Sequence, residues 1–263
     1  MKPNPQIAQF FGKPLALYKP VADALAAQYN AGFYDDFDVP VRQYGFEKGV
    51  AIIPVRGILA AECPWWMDGT SYSWIREGFD AAVSDPDVKA IVLDVNSPGG
   101  TVEGCFDLVD HIYASRGTKP IWAIQSENAY SAAYALASAA DRIILPRTGG
   151  AGSIGVVACH VDVSDMLEKF GVKVTYIQYG ARKTDGASEK PLSDEALACF
   201  QSEVDVMGEL FVATVARNRG LAAQKIKDTE AATFMGPAAV SLGLCDEVLA
   251  PDAAFQALLQ KLA

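Results

Sequence analysis

The stretch Lys89-Ala90-Ile91-Val92-Leu93-Asp94-Val95-Asn96-Ser97-Pro98-Gly99-Gly100 decides how this chain folds. Residues 90–95 are a nearly continuous apolar run, the pattern of a strand buried on both faces. The run stops at Ser97-Pro98-Gly99-Gly100, where proline removes a backbone donor and two glycines permit left-handed backbone. Helical spacing follows, with Val102, Phe106, Val109 and Ile112 on one stripe.

The same alternation extends in both directions. Upstream, residues 50–55 form an apolar run of strand length, and Trp74, Ile75, Phe79 and Ala82 set a helical stripe within residues 72–83. Downstream, residues 120–124, 142–146 and 172–177 read as strands, and residues 131–139 as a helix of small side chains. A long helix over residues 193–218 opens on Ser193 as N-cap, with Asp194 and Glu195 in its first turn, and closes on Gly220. An amphipathic helix over 252–262 ends the chain. Strands alternating with helices predict an α/β fold of βαβ units with a mainly parallel sheet covered on both faces. Residues 1–48 read as an N-terminal extension packing on a neighbour or partly mobile. They hold an amphipathic stretch at 15–29 and an aromatic, acidic segment at 33–37. The main domain is expected over 49–250, followed by a C-terminal helix at 251–263.

Composition removes several function classes. The chain has 263 residues, 51% of them hydrophobic, and 22 Lys+Arg against 32 Asp+Glu give a net charge of −10. Such an acidic surface suits neither nucleic acid nor an anionic membrane. No apolar run approaches the ~20 residues of a bilayer span, and the N-terminus lacks the apolar core of a secretory signal. With two histidines, His111 and His160, and no HExxH, zinc hydrolysis has no support. The five cysteines are scattered and form no CxxC, so they read as small buried hydrophobes in a reducing compartment. No GxGxxG follows the first strand and no P-loop occurs, so no nucleotide cofactor is expected. An enzyme built on this chain works with few or no histidines.

Four segments remain as candidates. Ser97-Pro98-Gly99-Gly100 ends a buried strand, where open α/β sheets bind ligands; it is also a serviceable tight turn. Ser131, in Tyr130-Ser131-Ala132-Ala133, sits where a loop meets a helix, as a cap or as a nucleophile. Lys183, in Gly180-Ala181-Arg182-Lys183-Thr184-Asp185-Gly186, is a solvated surface charge or a general base. The second role requires desolvation or a neighbouring cation such as Arg182. Ser153, in Gly152-Ser153-Ile154-Gly155, is a rival nucleophile, a partner orienting Lys183, or part of a turn. His111 and His160 read as structural, Asp94 as a cap for the following turn, and Trp65-Trp66 as core or interface.

Taken together these motifs are specific. Ser-Pro-Gly-Gly after a strand, Ser131, Gly-Ser-Ile-Gly, Lys183 and the closing run Gly236-Pro237-Ala238-Ala239-Val240-Ser241-Leu242-Gly243-Leu244-Cys245-Asp246 resemble the S49 family of serine peptidases, the signal peptide peptidase A type. The resemblance runs from about residue 49 to 248 and implies a ClpP/crotonase-like fold. Thr229-Glu230-Ala231-Ala232, the Lys183-Thr184-Asp185-Gly186 loop and the long N-terminal extension are most similar to the capsid-processing branch of phages. That likeness implies a chain acting in the host cytoplasm or inside a procapsid, trimmed from a longer protease-scaffold product.

Carried over residue by residue, the resemblance implies Ser131 as nucleophile and Lys183 as general base, a dyad that needs no histidine. It further implies that Gly99 and Ala132 donate backbone N–H groups to the oxyanion, that Gly100 shapes the turn, and that Ser153 orients the lysine amine. It implies no cofactor, no metal and no nucleic-acid or membrane partner. The implied substrates are capsid, scaffold or portal proteins. The implied assembly is a homo-oligomer in which Ser and Lys of one site come from adjacent subunits. Many envelope members of the family have glycines where Ala132 and Ala133 follow the serine, so two methyl groups are expected to narrow the space beside it. An envelope-type peptidase, a crotonase-like acyl-CoA enzyme and an inactive shell component are the alternatives.

Overall fold

A computed structural model of the chain describes residues 43–63 and 69–263. The amphipathic stretch at 15–29, the segment at 33–37 and Trp65-Trp66 lie outside them. The elements in order are β1 (Gly45–Glu47), β2 (Val50–Ala60), β3 (Gly69–Ser71), α1 (Tyr72–Ser84), β4 (Ala90–Gly100), α2 (Cys105–Ala114), β5 (Ile121–Tyr130), α3 (Ala132–Ser138) and β6 (Arg142–Leu145). They continue as β7 (Gly150–Gly152), α4 (Ser164–Lys169), α5 (Asp194–Arg219), α6 (Ala223–Lys227), β8 (Thr233–Met235), α7 (Gly236–Ser241), β9 (Glu247–Val248) and α8 (Pro251–Leu262).

One sheet runs β1-β2-β4-β5-β6-β9, parallel throughout except for the antiparallel edge strand β1. The apolar run in β4 is continuous because both of its faces are covered. Ile91, Leu93 and Val95 join Ile75, Phe79, Leu108, Ile112 and Leu136 beneath the helices. Ala90 and Val92 face the other way, with Trp122, Ile124 and Ile144 under Ala254 and Leu258 of α8. The C-terminal helix therefore completes the second layer, and β1 brings Gly45–Glu47, expected in the extension, into the sheet.

The end of β5 positions the candidate site. Its first half pairs with β6 at Trp122–Ile124, and its second half with β7 at Asn128–Tyr130. β8 then closes antiparallel on β7. At the far end of α3, Arg116 donates to the carbonyls of Ser138, Ala139 and Ala140, which a helix C-terminus leaves without intrahelical donors. Tyr134 Oη–H donates to the Leu244 carbonyl at 2.7 Å and Asn218 Nδ2–H to Ser138 Oγ at 2.9 Å. This short helix, wholly buried, is anchored along its length.

Three expectations change. Trp74 lies off the buried stripe of α1 and is exposed; Tyr72 and Gly78 join Ile75, Phe79 and Ala82 there instead. Residues 172–177 form no strand, because the alternating pattern finds no ladder partner among the described residues. Of the cysteines, only Cys105 and Cys245 are buried, and Cys159 is exposed. The long helix matches its pattern, with Ser193 Oγ accepting from Ala196 N–H and Gly220 left-handed at φ 63°.

Asp246 of the closing motif explains why that motif reads Gly-Leu-x-Asp. Its carboxylate accepts from Ile143 N–H at 2.7 Å, which fastens β6, and from both terminal nitrogens of Arg219 at 2.6 and 3.2 Å. Arg219 is largely buried, so Asp246→Ala leaves a cation uncompensated. A loss of about 3 kcal/mol in unfolding free energy is expected in urea titration; a change under about 1 kcal/mol contradicts the role. Burial pushes the Cys105 and Cys245 thiols up to about 12. Brief iodoacetamide treatment of the native chain should modify Cys159 and spare these two, as peptide mass mapping will record; equal modification of all three contradicts their burial.

Candidate active site

β5 ends at Tyr130 and α3 begins at Ala132, so Ser131 makes the whole turn between strand and helix. It does so at φ 52°, ψ −125°, a region a side chain enters at a cost of ~1–3 kcal/mol. Two backbone bonds hold it there. Ser131 N–H donates to the Gly152 carbonyl at 2.9 Å, and the Ser131 carbonyl accepts from Ala135 N–H at 3.0 Å. The hydroxyl makes no capping bond to α3, so the capping role weighed above falls away. A partly exposed serine on a strained strand-to-helix turn is the arrangement that presents a nucleophile.

The Ser-Pro-Gly-Gly turn presses directly on this serine. A Cβ placed on Gly99 would lie 2.8 Å from Ser131 Cβ, 2.9 Å from the Tyr130 carbonyl and 3.2 Å from Ala132 N. Gly99 also stands at φ 105°, so both space and backbone require glycine. Its N–H, expected to serve an oxyanion, donates to Ser97 Oγ at 3.1 Å. Gly99 is buried and Gly100 exposed. Thr101 N–H donates to the Leu59 carbonyl at 2.8 Å, so the ladder to β2 steps over the Gly100 amide. Ala132 is the first residue of α3, so its N–H has no intrahelical partner.

Ser153 belongs to the same cluster. It follows Gly152, whose carbonyl holds Ser131, and is itself left-handed at φ 55°. Its N–H donates to the Ala232 carbonyl at 2.9 Å, and a Cβ on Gly155 would lie 2.8 Å from Ala231 Cβ. The Thr229-Glu230-Ala231-Ala232 run thus seats the Gly-Ser-Ile-Gly turn. Ala132 and Ala133 are both buried in the core beneath the serine's helix.

Lys183 lies on a different segment. Its turn is stitched internally: Lys183 N–H to the Gly180 carbonyl at 3.2 Å, Gln178 Nε2–H to the Ala181 carbonyl at 2.9 Å, and Lys190 Nζ–H to Thr184 Oγ1 at 2.8 Å. Arg182 pairs with Asp185 at 3.1 Å, so its charge is compensated and is not spent on the lysine. Lys183 is exposed, and among the described residues no hydrogen bond or ion pair joins its amine to Ser131 or Ser153. The segment leading to it exposes Val157 (89%), Phe170 (78%), Ile177 (100%) and Tyr179 (99%).

Among the remaining candidates, His160 has no hydrogen-bond partner for its buried Nε2 among the described residues. His111 pairs with Asp80 and meets the Phe79 ring edge-on, and Asp94 pairs with Arg56. Among the described residues no group of His, Cys, Asp and Glu is arranged to hold a metal ion, and no helix is long and apolar enough to cross a membrane. Ser97 was not singled out for a role of its own. The available signal was a serine two residues before a left-handed glycine, a spacing at which a hydroxyl bonds local backbone.

Known proteins with similar sequences match this architecture. The chain is 38% identical over 218 residues to capsid assembly protease C of Escherichia phage lambda, covering 82% of this chain and 50% of that protein. It is 37% identical over 213 residues to head-tail preconnector protein GP5 of Enterobacteria phage P21, covering 80% of this chain and 42% of that one. The chain therefore spans about half the length of these relatives. A crystal structure of an enoyl-CoA hydratase/isomerase family member superposes with a TM-score of 0.50 at 17% identity, over 83% of this chain and 74% of that one, a likeness of fold alone. The profile of peptidase family S49 matches residues 114–263, which include Ser131, Ser153, Lys183 and the closing motif, and the chain belongs to that family.

Proposed function

We propose that this chain is a serine endopeptidase in which Ser131 is the nucleophile and Lys183 the general base. The observation that carries the reading is the conformation of Ser131, strained, uncommitted at its hydroxyl and wedged between Gly99 and Gly152. The neutral lysine amine takes the hydroxyl proton as Oγ attacks a peptide carbonyl carbon. The carbonyl oxygen becomes an oxyanion facing the Gly100 and Ala132 N–H groups. The ammonium returns the proton to the departing amine as the C–N bond breaks. Water then attacks the acyl-enzyme ester with the same lysine as base, which releases the acid and restores the serine. Ser153 is the hydroxyl that steers the amine.

The lysine is supplied by a second copy of the chain. Lys183 projects from an internally bonded loop behind an exposed apolar segment whose alternating residues, 172–177, have no strand partner among the described residues. Burying such a surface between copies is favourable at ~25 cal/mol per Å², and each copy then completes its neighbour's site. The substrates are phage capsid, scaffold or portal proteins, cut in the host cytoplasm or inside the procapsid. The names of the two phage relatives support that choice over an envelope-type peptidase.

Two measurements test this reading. Ser131→Ala and Lys183→Ala are each expected to abolish cleavage of labelled casein, and mixing them should restore a fraction of it through hybrid sites. Full activity in either single variant overturns the dyad; failure to complement, with both variants folded, overturns the shared site. Gly99→Ala drives a methyl into Ser131, so a fall of at least ~10²-fold in kcat is expected, comparable to deleting an oxyanion donor. Wild-type kcat in that variant contradicts the placement of the turn.

A further inference from the structure

The side chain of Ser97 is the buried side chain of the Ser-Pro-Gly-Gly turn, and the proposed chemistry leaves it without work. It is 1% exposed and bonded on both sides. Its Oγ–H donates to the Gly57 carbonyl at 2.7 Å, and its oxygen accepts from Gly99 N–H at 3.1 Å. Both partners are irregular residues of their strands. Gly57 is left-handed at φ 63°, where the pairing of β2 with β4 slips register between Arg56 and Ile58. Gly99 is left-handed at φ 105° and lies against Ser131. One buried hydroxyl thus ties a bulge in β2 to the glycine that backs the nucleophile.

That tie bears on the reaction. The peptide plane carrying the Gly100 N–H begins at the Gly99 carbonyl, so its direction is set by the dihedrals of Gly99. Glycine has the widest choice of dihedrals of any residue, and nothing in its own side chain restricts it. Anchoring the Gly99 N–H removes that freedom on one side, while the approach of Leu59 to Gly100 limits it on the other. An oxyanion donor stabilises a transition state only if it is aimed before charge develops.

We propose that Ser97 is a positioning residue of the oxyanion hole, fixing Gly99 so that the Gly100 N–H points at the space beside Ser131. The proposal rests on Ser131 being the nucleophile and goes beyond that reading in assigning a role to a residue that touches no substrate. A side chain that only satisfied buried backbone would stabilise the fold equally in the ground and transition states and leave kcat per folded molecule unchanged.

The test uses the full chain in its active assembly. Wild type, Ser97→Ala, Ser97→Thr and Ser131→Ala are compared in cleavage of labelled casein, in thermal unfolding, and in binding of a peptide aldehyde built on the casein sequence cut fastest. The aldehyde adds to the nucleophile and places an oxyanion in the hole, whereas casein in its ground state does not. Ser97→Ala is expected to lower kcat roughly tenfold to hundredfold, less than deleting a donor outright, with KM within about twofold and aldehyde affinity reduced by the same factor as kcat. Ser97→Thr, which keeps the hydroxyl, should recover most of both. Unchanged kcat and aldehyde affinity in folded Ser97→Ala overturn the proposal, as does a fall in unfolding temperature alone. Should Ser97→Ala not fold, the same comparison of kcat and aldehyde affinity is made on Ser97→Cys, which fills the site and keeps a weaker donor. Activity persisting in Ser131→Ala defeats the parent reading instead, and is distinguishable because it appears without any change at Ser97.

Discussion

Everything around the candidate site depends on holding one serine where serines seldom stand. Ser131 turns the chain from strand to helix in a single left-handed residue, and that strain persists only if the surroundings over-determine it. The Gly152 carbonyl fixes its N–H from one side, and Gly99 closes against its Cβ from the other. Behind it, α3 is tied down by Arg116, Asn218 and Tyr134 at points far from the serine. The long parallel strands supply the stiffness. β4 and β5 run side by side, and their ends deliver Gly99 and Ser131 to the same place.

Four left-handed positions, Gly99, Ser131, Gly152 and Ser153, gather around this point. Ser131 and Ser153 are held by carbonyls of other segments, Gly152 and Ala232, and Gly99 by Ser97 of its own strand, so the cluster draws on several parts of the fold. This arrangement suits chemistry that relies on backbone donors and a lone hydroxyl. A Ser-Lys dyad uses no histidine, so the scarcity of that residue is then no obstacle. In the proposed mechanism the base is an exposed lysine on a segment that also exposes Val157, Phe170, Ile177 and Tyr179, which would couple activity to assembly.

Much of this was legible in the sequence, and the exceptions are instructive. The apolar run of residues 90–95 announced a doubly covered strand because β4 is buried on both faces. Ser193 and Gly220 marked the limits of the long helix because capping is local chemistry. Residues 172–177 carry an equally good strand pattern and form no strand, since pairing needs a second strand that the pattern cannot reveal. The left-handed state of Ser131 was hidden for a related reason. Nothing in Tyr-Ser-Ala-Ala disfavours an ordinary cap, and only the Gly152 carbonyl and the pressure of Gly99 select the other conformation. The Gly99 N–H, expected to donate to an oxyanion, is bonded here to the buried Ser97 hydroxyl, a contact the local pattern did not announce. Arg182, adjacent in sequence to Lys183, is spent on Asp185, a pairing that spacing alone did not signal.

The identity of the nucleophile is the claim on which the rest turns, and Ser153 is its natural rival, also at positive φ and one residue from the carbonyl that holds Ser131. Treatment of the assembled chain with a fluorophosphonate, followed by peptide mass mapping, distinguishes them directly. A single adduct on the peptide bearing Ser131, lost in Ser131→Ala and retained in Ser153→Ala, is the predicted result. An adduct on Ser153, or labelling that survives Ser131→Ala, contradicts it.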